Sequence, residues 1–300
     1  RWLAARGARH VLLAGRSAPE AATDTVVREL SSRGVNVRVV TLDVTDADAV
    51  ARVAQEEVAA GRPPVRGVVH AAGVWEDQPL ATLTSAALAR VLAPKVAGTL
   101  ALTRALPDLD VFIAFSAFSA LLPAETQGNY AAANAFLDAY VSAARARAPK
   151  AWVSVHWGPW AGVGFAQTDY GRRAHERLQG LGISRITAPH GFEALDALMA
   201  GGYSGIGLMP VDWRRLFERD PNARLSPMLR ELSQRYAVMA TSEAGRVREL
   251  LSGLTGAEAT ARLEQELTSM AAGIMQLPES AIDRQVSFTD LGLDSLMAVE

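Results

Sequence analysis

Short apolar runs alternate with stretches of helical period over the first two thirds of the chain. His10-Val11-Leu12-Leu13-Ala14 is a continuous apolar run with the length of a buried strand. Helical spacing follows over 21–33, with Gly34 as the stop. The pattern then predicts a strand over 35–42 closed by Asp43, a helix over 47–60, and a strand over 65–71 that leads into Ala72-Gly73. A helix over 86–106, a strand over 111–115, a long helix over 129–146 and strands over 152–156 and 206–209 complete the alternation. Strands that are apolar throughout and separated by helices predict an α/β fold, a doubly wound parallel sheet covered on both faces. Ligands of such sheets sit beyond the carboxyl ends of the strands, so the chemistry is sought just after each strand.

The last third reads differently. Positions 238–256 are rich in Thr, Ser, Gly and Glu and predict a linker, with a short helix over 244–251. Leu263, Leu267, Met270 and Ile274 then recur on one face of an amphipathic helix. A loop through Pro278, Asp283 and 288–294 follows, and a new helix begins at Ser295. Helix, long loop and helix predict a small all-α bundle, truncated at Glu300. Arg1-Trp2-Leu3-Ala4-Ala5-Arg6-Gly7 reads as the back half of a helix with a glycine stop, so a longer parent protein is expected.

A length of 300 residues allows about two domains. The net charge of -2 gives no general attraction to nucleic acid or anionic membrane. Neither a bilayer-spanning apolar run nor a signal peptide is read, so a cytoplasmic location without a membrane partner is expected. Absence of Cys removes disulfides, thiolate metal sites and a cysteine nucleophile, and no metal site is expected. Lysine is confined to Lys95 and Lys150, which makes a lysine at a motif position more informative.

Candidate chemistry clusters where the fold predicts it. Ala71, Ala72 and Gly73 are small, and permit close approach of a flat cofactor. Gly15-Arg16-Ser17 places a guanidinium where a dinucleotide's ribose would lie, and a 2′-phosphate prefers Arg, which points to NADP. A solvated loop residue is the other reading of Arg16. Asp43-Val44 falls where adenine contacts occur, although Asp43 also suits a helix N-cap. Tyr130 and Asn134 are four apart, hence on one helix face. Carbonyl reduction needs a proton donor for the developing alkoxide, and a tyrosine serves if a cation such as Lys95 lowers its pKa. At the far end, Ser295 sits at a predicted helix N-terminus, where the dipole and free N–H groups favour a phosphodiester. A plain N-cap serine is the other reading of Asp294-Ser295-Leu296.

The run from Phe288 through Asp290-Leu291-Gly292-Leu293-Asp294-Ser295-Leu296 to Glu300 resembles the acyl carrier domains of modular polyketide synthases. The resemblance implies that a phosphopantetheinyl transferase esterifies Ser295 with 4′-phosphopantetheine, whose arm carries the growing chain as a thioester. The stretches from Arg1 to about Leu216, with Trp157-Gly158-Pro159-Trp160 and Met209-Pro210-Val211-Asp212-Trp213, resemble the ketoreductase domains of the same synthases, a branch of the short-chain dehydrogenase/reductases. It implies a Rossmann-like ketoreductase domain over 1–237, a linker over 238–256 and the first half of a carrier domain over 257–300. The implied reaction is NADPH-dependent reduction of a carrier-bound β-ketoacyl thioester beside the other domains of a synthase. Tyr130 would donate the proton, Lys95 tune it and Asn134 order the relay. Arg16, Ser17, Asp43, Val44, Ala71, Ala72 and Gly73 would hold NADP(H).

Two departures from the family pattern stand out. The glycine-rich phosphate loop is expected upstream of Arg1. The family's Phe-Ser-Ser is here Phe115-Ser116-Ala117, with Ala117 thirteen residues before Tyr130, where the carbonyl-binding serine is expected. Losing one such donor costs roughly two to three orders of magnitude in rate. Ser116 and Ser119 are the substitutes at hand, but neighbouring strand residues point opposite ways. The rival expectation is an impaired reductase-like domain serving as scaffold beside a functional carrier. Gly73-Val74-Trp75-Glu76-Asp77 aligns with the Leu-Asp-Asp motif of reductases that give D-configured hydroxyls, keeping its last Asp. The tryptophan marking the opposite type would fall near Leu122 and is absent, so the D-type is expected.

Overall fold

The computed structural model describes residues 1–19, 21–122, 126–147, 151–162, 168–236, 251, 253–275, 278–282 and 286. The chain divides into two compact units, Arg1–Met228 and Leu229–Glu300. The first is a Rossmann-type alternation: α1 (Trp2–Ala5), β1 (His10–Gly15), α2 (Ala21–Ser32), β2 (Asn36–Thr41), α3 (Ala47–Ala59), β3 (Gly67–His70), α4 (Ser85–Ala105), β4 (Val111–Ala117), α5 (Gly128–Arg147), β5 (Ala151–Trp157), α6 (Asp169–Gly180), α7 (Ala188–Ala200) and β6 (Ile206–Leu208). Two short helices, α8 (Trp213–Arg219) and α9 (Pro221–Leu225), follow.

Local chemistry sets the helix starts. Asp46, Thr84 and Thr168 each accept a hydrogen bond from a backbone N–H of the first turn, of Ala49, Ala87 and Gly171. Thr187 starts α7 with Pro189 in its first turn. Helix α2 ends at a turn where Gly34 holds φ of 77°.

Every strand pair is parallel, but the sheet is in two pieces: β1 pairs with β2, and β3-β4-β5-β6 form a separate four-stranded sheet. The alternation predicts one sheet. Among the described residues no strand joins β1 to β3, and both strands line one cavity of about 1420 Å³. Val69 in β3 is left 40% exposed, unlike the core strand β4 beside it.

The pleat of β4 sends alternate side chains to opposite faces. Phe112 and Ala114 pack with Leu102, Leu137 and Val141 of α4 and α5, whereas Ile113 packs with Val153, Val155 and Leu195 toward α7. An 18-residue window of helix α4 has a mean hydropathy of 1.3, so by length and composition alone this helix could cross a bilayer, where no such segment was expected. It packs against α3 and α5, and its Val91, Ala101 and Leu102 are buried in core clusters, which accounts for its composition. In the second unit a helix spans Gly256–Met275, and Leu263, Leu267 and Met270 on its apolar stripe are exposed. The predicted helix over 244–251 lies almost wholly outside the described residues, and the Ser295 motif lies entirely outside them.

Candidate ketoreductase site

Tyr130 and Asn134 sit in the first turns of α5, and Lys95 sits mid-way along α4; all three are buried, at 8%, 0% and 3% exposure. Asn134 Nδ2 donates to the Tyr130 carbonyl at 2.8 Å, and Asn134 Oδ1 is buried without a hydrogen-bond partner among the described residues. An unpaired amide acceptor in a buried site is costly, and a bound water or ligand donor would satisfy it. Lys95 Nζ donates to the Phe115 carbonyl at 2.6 Å, at the end of β4. A Cβ on Gly73 would lie 3.4 Å from Lys95 Cε, so the glycine keeps the β3 exit close to the lysine stem. Burial lowers the Lys95 pKa to about 8, against the opposing pull of Asp138. Burial pushes the Tyr130 phenol up to about 12, against hydrogen bonds from Asn134 and Trp75.

Ser116 is placed elsewhere. Its Oγ donates to Asp138 Oδ2 at 3.1 Å and approaches the Asn134 carbonyl at 3.5 Å, so the hydroxyl is committed to α5. Asp138 also accepts from Ser154 Oγ and pairs with His156 Nε2 at 2.7 Å. This buried network crosses β4, β5 and α5 and was not legible from the sequence spacing. Ala117 packs against the cluster of Val91, Tyr130 and Ala133, so a methyl, not a hydroxyl, faces the tyrosine's surroundings. The substitute role expected of Ser116 does not fit this geometry. Ser119 is 5% exposed and its hydroxyl has no partner among the described residues.

Most of the residues expected to hold the cofactor line the space between the sheet pieces. Gly15, Arg16, Asp43, Val44, Ala71, Ala72 and Gly73 all line it, and Ser17 does not. Asp43 Oδ1 accepts from Thr45 N and Oγ1 at 2.9 and 2.8 Å. Those bonds, with Arg16 nearby, hold its carboxyl below the usual range. Asp43 is not the helix N-cap; Asp46 takes that place. Val44 packs on α4 at Gly98, where an added Cβ would lie 2.9 Å from Val44 Cγ2. The lining combines small residues after β3 with a guanidinium and a carboxylate after β1 and β2, a donor set that fits a dinucleotide with a 2′-phosphate.

His70, at the end of β3, is 2% exposed and meets the Pro94 carbonyl through Nε2 at 3.1 Å. Burial, with Lys95 adding to it, lowers its pKa from 6.5 to about 4. Between those values the unfolded chain binds the proton and the native chain does not. Stability from this group is therefore fully present above the unfolded pKa and is lost as pH falls toward 4. Urea unfolding at pH 7 and pH 4.5 is expected to show a loss to which His70 contributes on the order of 2–3 kcal/mol. His70→Gln is expected to remove that share of the slope; an unaltered slope would refute the assignment.

The ketoreductase (KR) domain family matches residues 1–162, and the phosphopantetheine attachment site family matches residues 265–300. The chain is 34% identical over 306 residues to erythronolide synthase EryA3 of Saccharopolyspora erythraea, covering 100% of this chain and 9% of that protein. It is 34% identical over 316 residues to 6-methylsalicylic acid synthase of Penicillium patulum, covering 99% of this chain and 17% of that protein. It thus spans a small part of these relatives. Among solved structures, the ketoreductase from the first module of phoslactomycin biosynthesis in Streptomyces sp. HK803 matches at 35% identity and a TM-score of 0.68, covering 76% of this chain and 54% of that one. The first ketoreductase of the tylosin synthase matches at 30% identity and a TM-score of 0.59, covering 74% and 49%. A ketoreductase domain uses NADP(H), and a phosphopantetheine attachment site carries 4′-phosphopantetheine. The chain belongs to the polyketide synthase ketoreductase family and carries a phosphopantetheine attachment region over residues 265–300.

Proposed function

We propose that this domain reduces a carrier-bound β-ketoacyl thioester to the D-configured β-hydroxyacyl thioester, the acyl chain being tethered through 4′-phosphopantetheine on Ser295. The observation that carries this reading is the joint burial of Tyr130, Asn134 and Lys95 where β3 and β4 end. NADPH, when bound, supplies the hydride. Tyr130 gives its phenolic proton to the carbonyl oxygen as charge develops there. Lys95, anchored on the Phe115 carbonyl, presents a cation that stabilises the phenolate left behind. Asn134 offers its free amide oxygen to the water or ammonium that returns the proton. Arg16 takes the 2′-phosphate, while Ala71, Ala72 and Gly73 let the cofactor lie close to the β3 exit.

The glycine-rich turn expected ahead of Arg1 belongs in the same picture. A parallel strand between β1 and β3 would satisfy both open edges and bring its own C-terminal turn to the cofactor's phosphates.

The second reading, a reductase-like scaffold, is favoured by Ala117 alone. The test is NADPH oxidation by the full-length polypeptide with a β-ketobutyryl N-acetylcysteamine thioester, and chiral analysis of the product. D-hydroxy product supports the first reading. No NADPH oxidation, with the protein folded, supports the scaffold.

A further inference from the structure

We propose that the indole N–H of Trp75 is the hydrogen-bond donor that serves the reacting carbonyl oxygen at the Tyr130 site, in the place Ala117 leaves without a hydroxyl. The inference rests on the reductase reading above.

Trp75 follows the β3 exit, and its ring meets that of Tyr130 at 5.6 Å between centroids with 35° between planes. It is 42% exposed, so its ring meets Tyr130 while part of it stays open to solvent. The loop that carries it is stitched to the start of α5. Asn129 Nδ2 donates to the Glu76 carbonyl at 2.8 Å, the Gln78 amide donates to the Thr126 carbonyl at 2.9 Å, and Gln127 Nε2 donates to Asp77 Oδ2 at 3.0 Å. Arg90 clamps the Glu76 carboxylate with two bonds of 2.8 and 2.6 Å. Trp75 and Tyr130 therefore move as one unit, which is the preorganisation a donor to a developing charge needs.

The chemistry suits the residue. An indole N–H donates and never accepts, so it favours an oxygen that gains negative charge over one that donates. The Trp75 hydrogen bond already acts on the Tyr130 phenol in the direction that stabilises its oxygen anion. A substrate carbonyl that accepts the Tyr130 proton must lie beside that phenol oxygen, within reach of the same N–H. In the reaction the carbonyl π bond opens onto oxygen, hydride from NADPH adds to carbon, and the oxygen takes the phenolic proton. NADPH is oxidised to NADP⁺, and Trp75 forms and breaks no covalent bond. Of its competitors for the role, Ser116 is committed to Asp138 and Ala117 offers a methyl, which leaves the buried hydroxyl of Ser119 as the rival to be tested.

The test is a double-mutant cycle in the full-length polypeptide, with NADPH and the β-ketobutyryl thioester, and thermal midpoints to confirm folding. Trp75→Phe keeps the ring and removes the donor. It is expected to lower kcat about 10²-fold with KM within about twofold. Ala117→Ser is expected to raise kcat, and Trp75→Phe in that background to cost less than about threefold, because the serine hydroxyl takes over the oxygen. Equal loss from Trp75→Phe in both backgrounds would mean a packing role and overturn the proposal. So would an unchanged kcat, or a matching loss from Ser119→Ala with Trp75→Phe silent. Turnover that appears only with Ala117→Ser overturns the tryptophan assignment while leaving the reductase chemistry standing. Absence of turnover in every background removes the reductase reading, and the tryptophan assignment with it.

Discussion

Tyr130→Phe is expected to lower NADPH-dependent reduction of a β-ketoacyl thioester about 10²- to 10⁴-fold in kcat, the range of a lost general acid. The substitution is conservative for the fold. Tyr130 packs with Val91 and Ala133 in a buried cluster, and a phenylalanine fills the same space against them and against Trp75. What disappears is one oxygen in a site with few alternative proton donors. Asn134 is an amide, and Lys95 is turned to the Phe115 carbonyl. Tyr130 is not among the residues expected to hold the cofactor, so NADPH affinity, read by fluorescence titration, is expected to stay within about twofold. Reduction at the parental rate in the variant would remove Tyr130 from the chemistry. A parent protein that does not reduce the thioester at all would instead favour the scaffold reading.

The pH profile belongs to the same argument. Burial brings Lys95 to about 8. Activity that depends on its ammonium is present below that value and declines as pH rises through it.

The strands and the helices that flank them were legible because each carries a one-dimensional signal. Apolar runs bounded by Gly or Asp gave β1, β2 and β4 within a residue or two, and Tyr130 with Asn134 follows from the helical repeat. The apolar pattern does not reveal helices α6 and α7, although Thr168 caps α6, Thr187 stands at the N-cap position of α7, and Leu195 and Leu198 repeat at helical spacing in α7. Helix α6 is mostly charged and polar, with only Tyr170, Ala174 and Leu178 recurring as a thin apolar line. The split of the sheet is a matter of which strands pair, and strand order leaves no mark on the pattern of any single strand. The Asp138 network joins residues 16 to 22 positions apart on three elements, a distance no local periodicity reports. Trp75 escaped for the opposite reason. It stands inside a motif where the family pattern draws attention to the acidic residues, and only the fold lays its ring over Tyr130.

Ser295→Ala is expected to abolish phosphopantetheine attachment outright, since no other hydroxyl occupies the Asp-Ser-Leu position of the matched family. Intact-mass measurement of the full-length polypeptide after treatment with a phosphopantetheinyl transferase and coenzyme A is expected to show one phosphopantetheinyl group on the parent at this site and none on the variant. A modified Ser295→Ala protein would place the tether elsewhere. The result bears on the reductase site as well. A flexible arm converts encounter with the site into an intramolecular event, at an effective concentration on the order of millimolar for a short flexible tether. Reduction of a tethered β-ketoacyl chain should then depend on Ser295, whereas a free thioester must reach Tyr130 by diffusion and reports on that site by itself. The two measurements separate delivery from chemistry. A carrier that is loaded but whose acyl group stays a ketone would locate the fault at Ala117 and Trp75, beside the proton donor, and leave the tether intact.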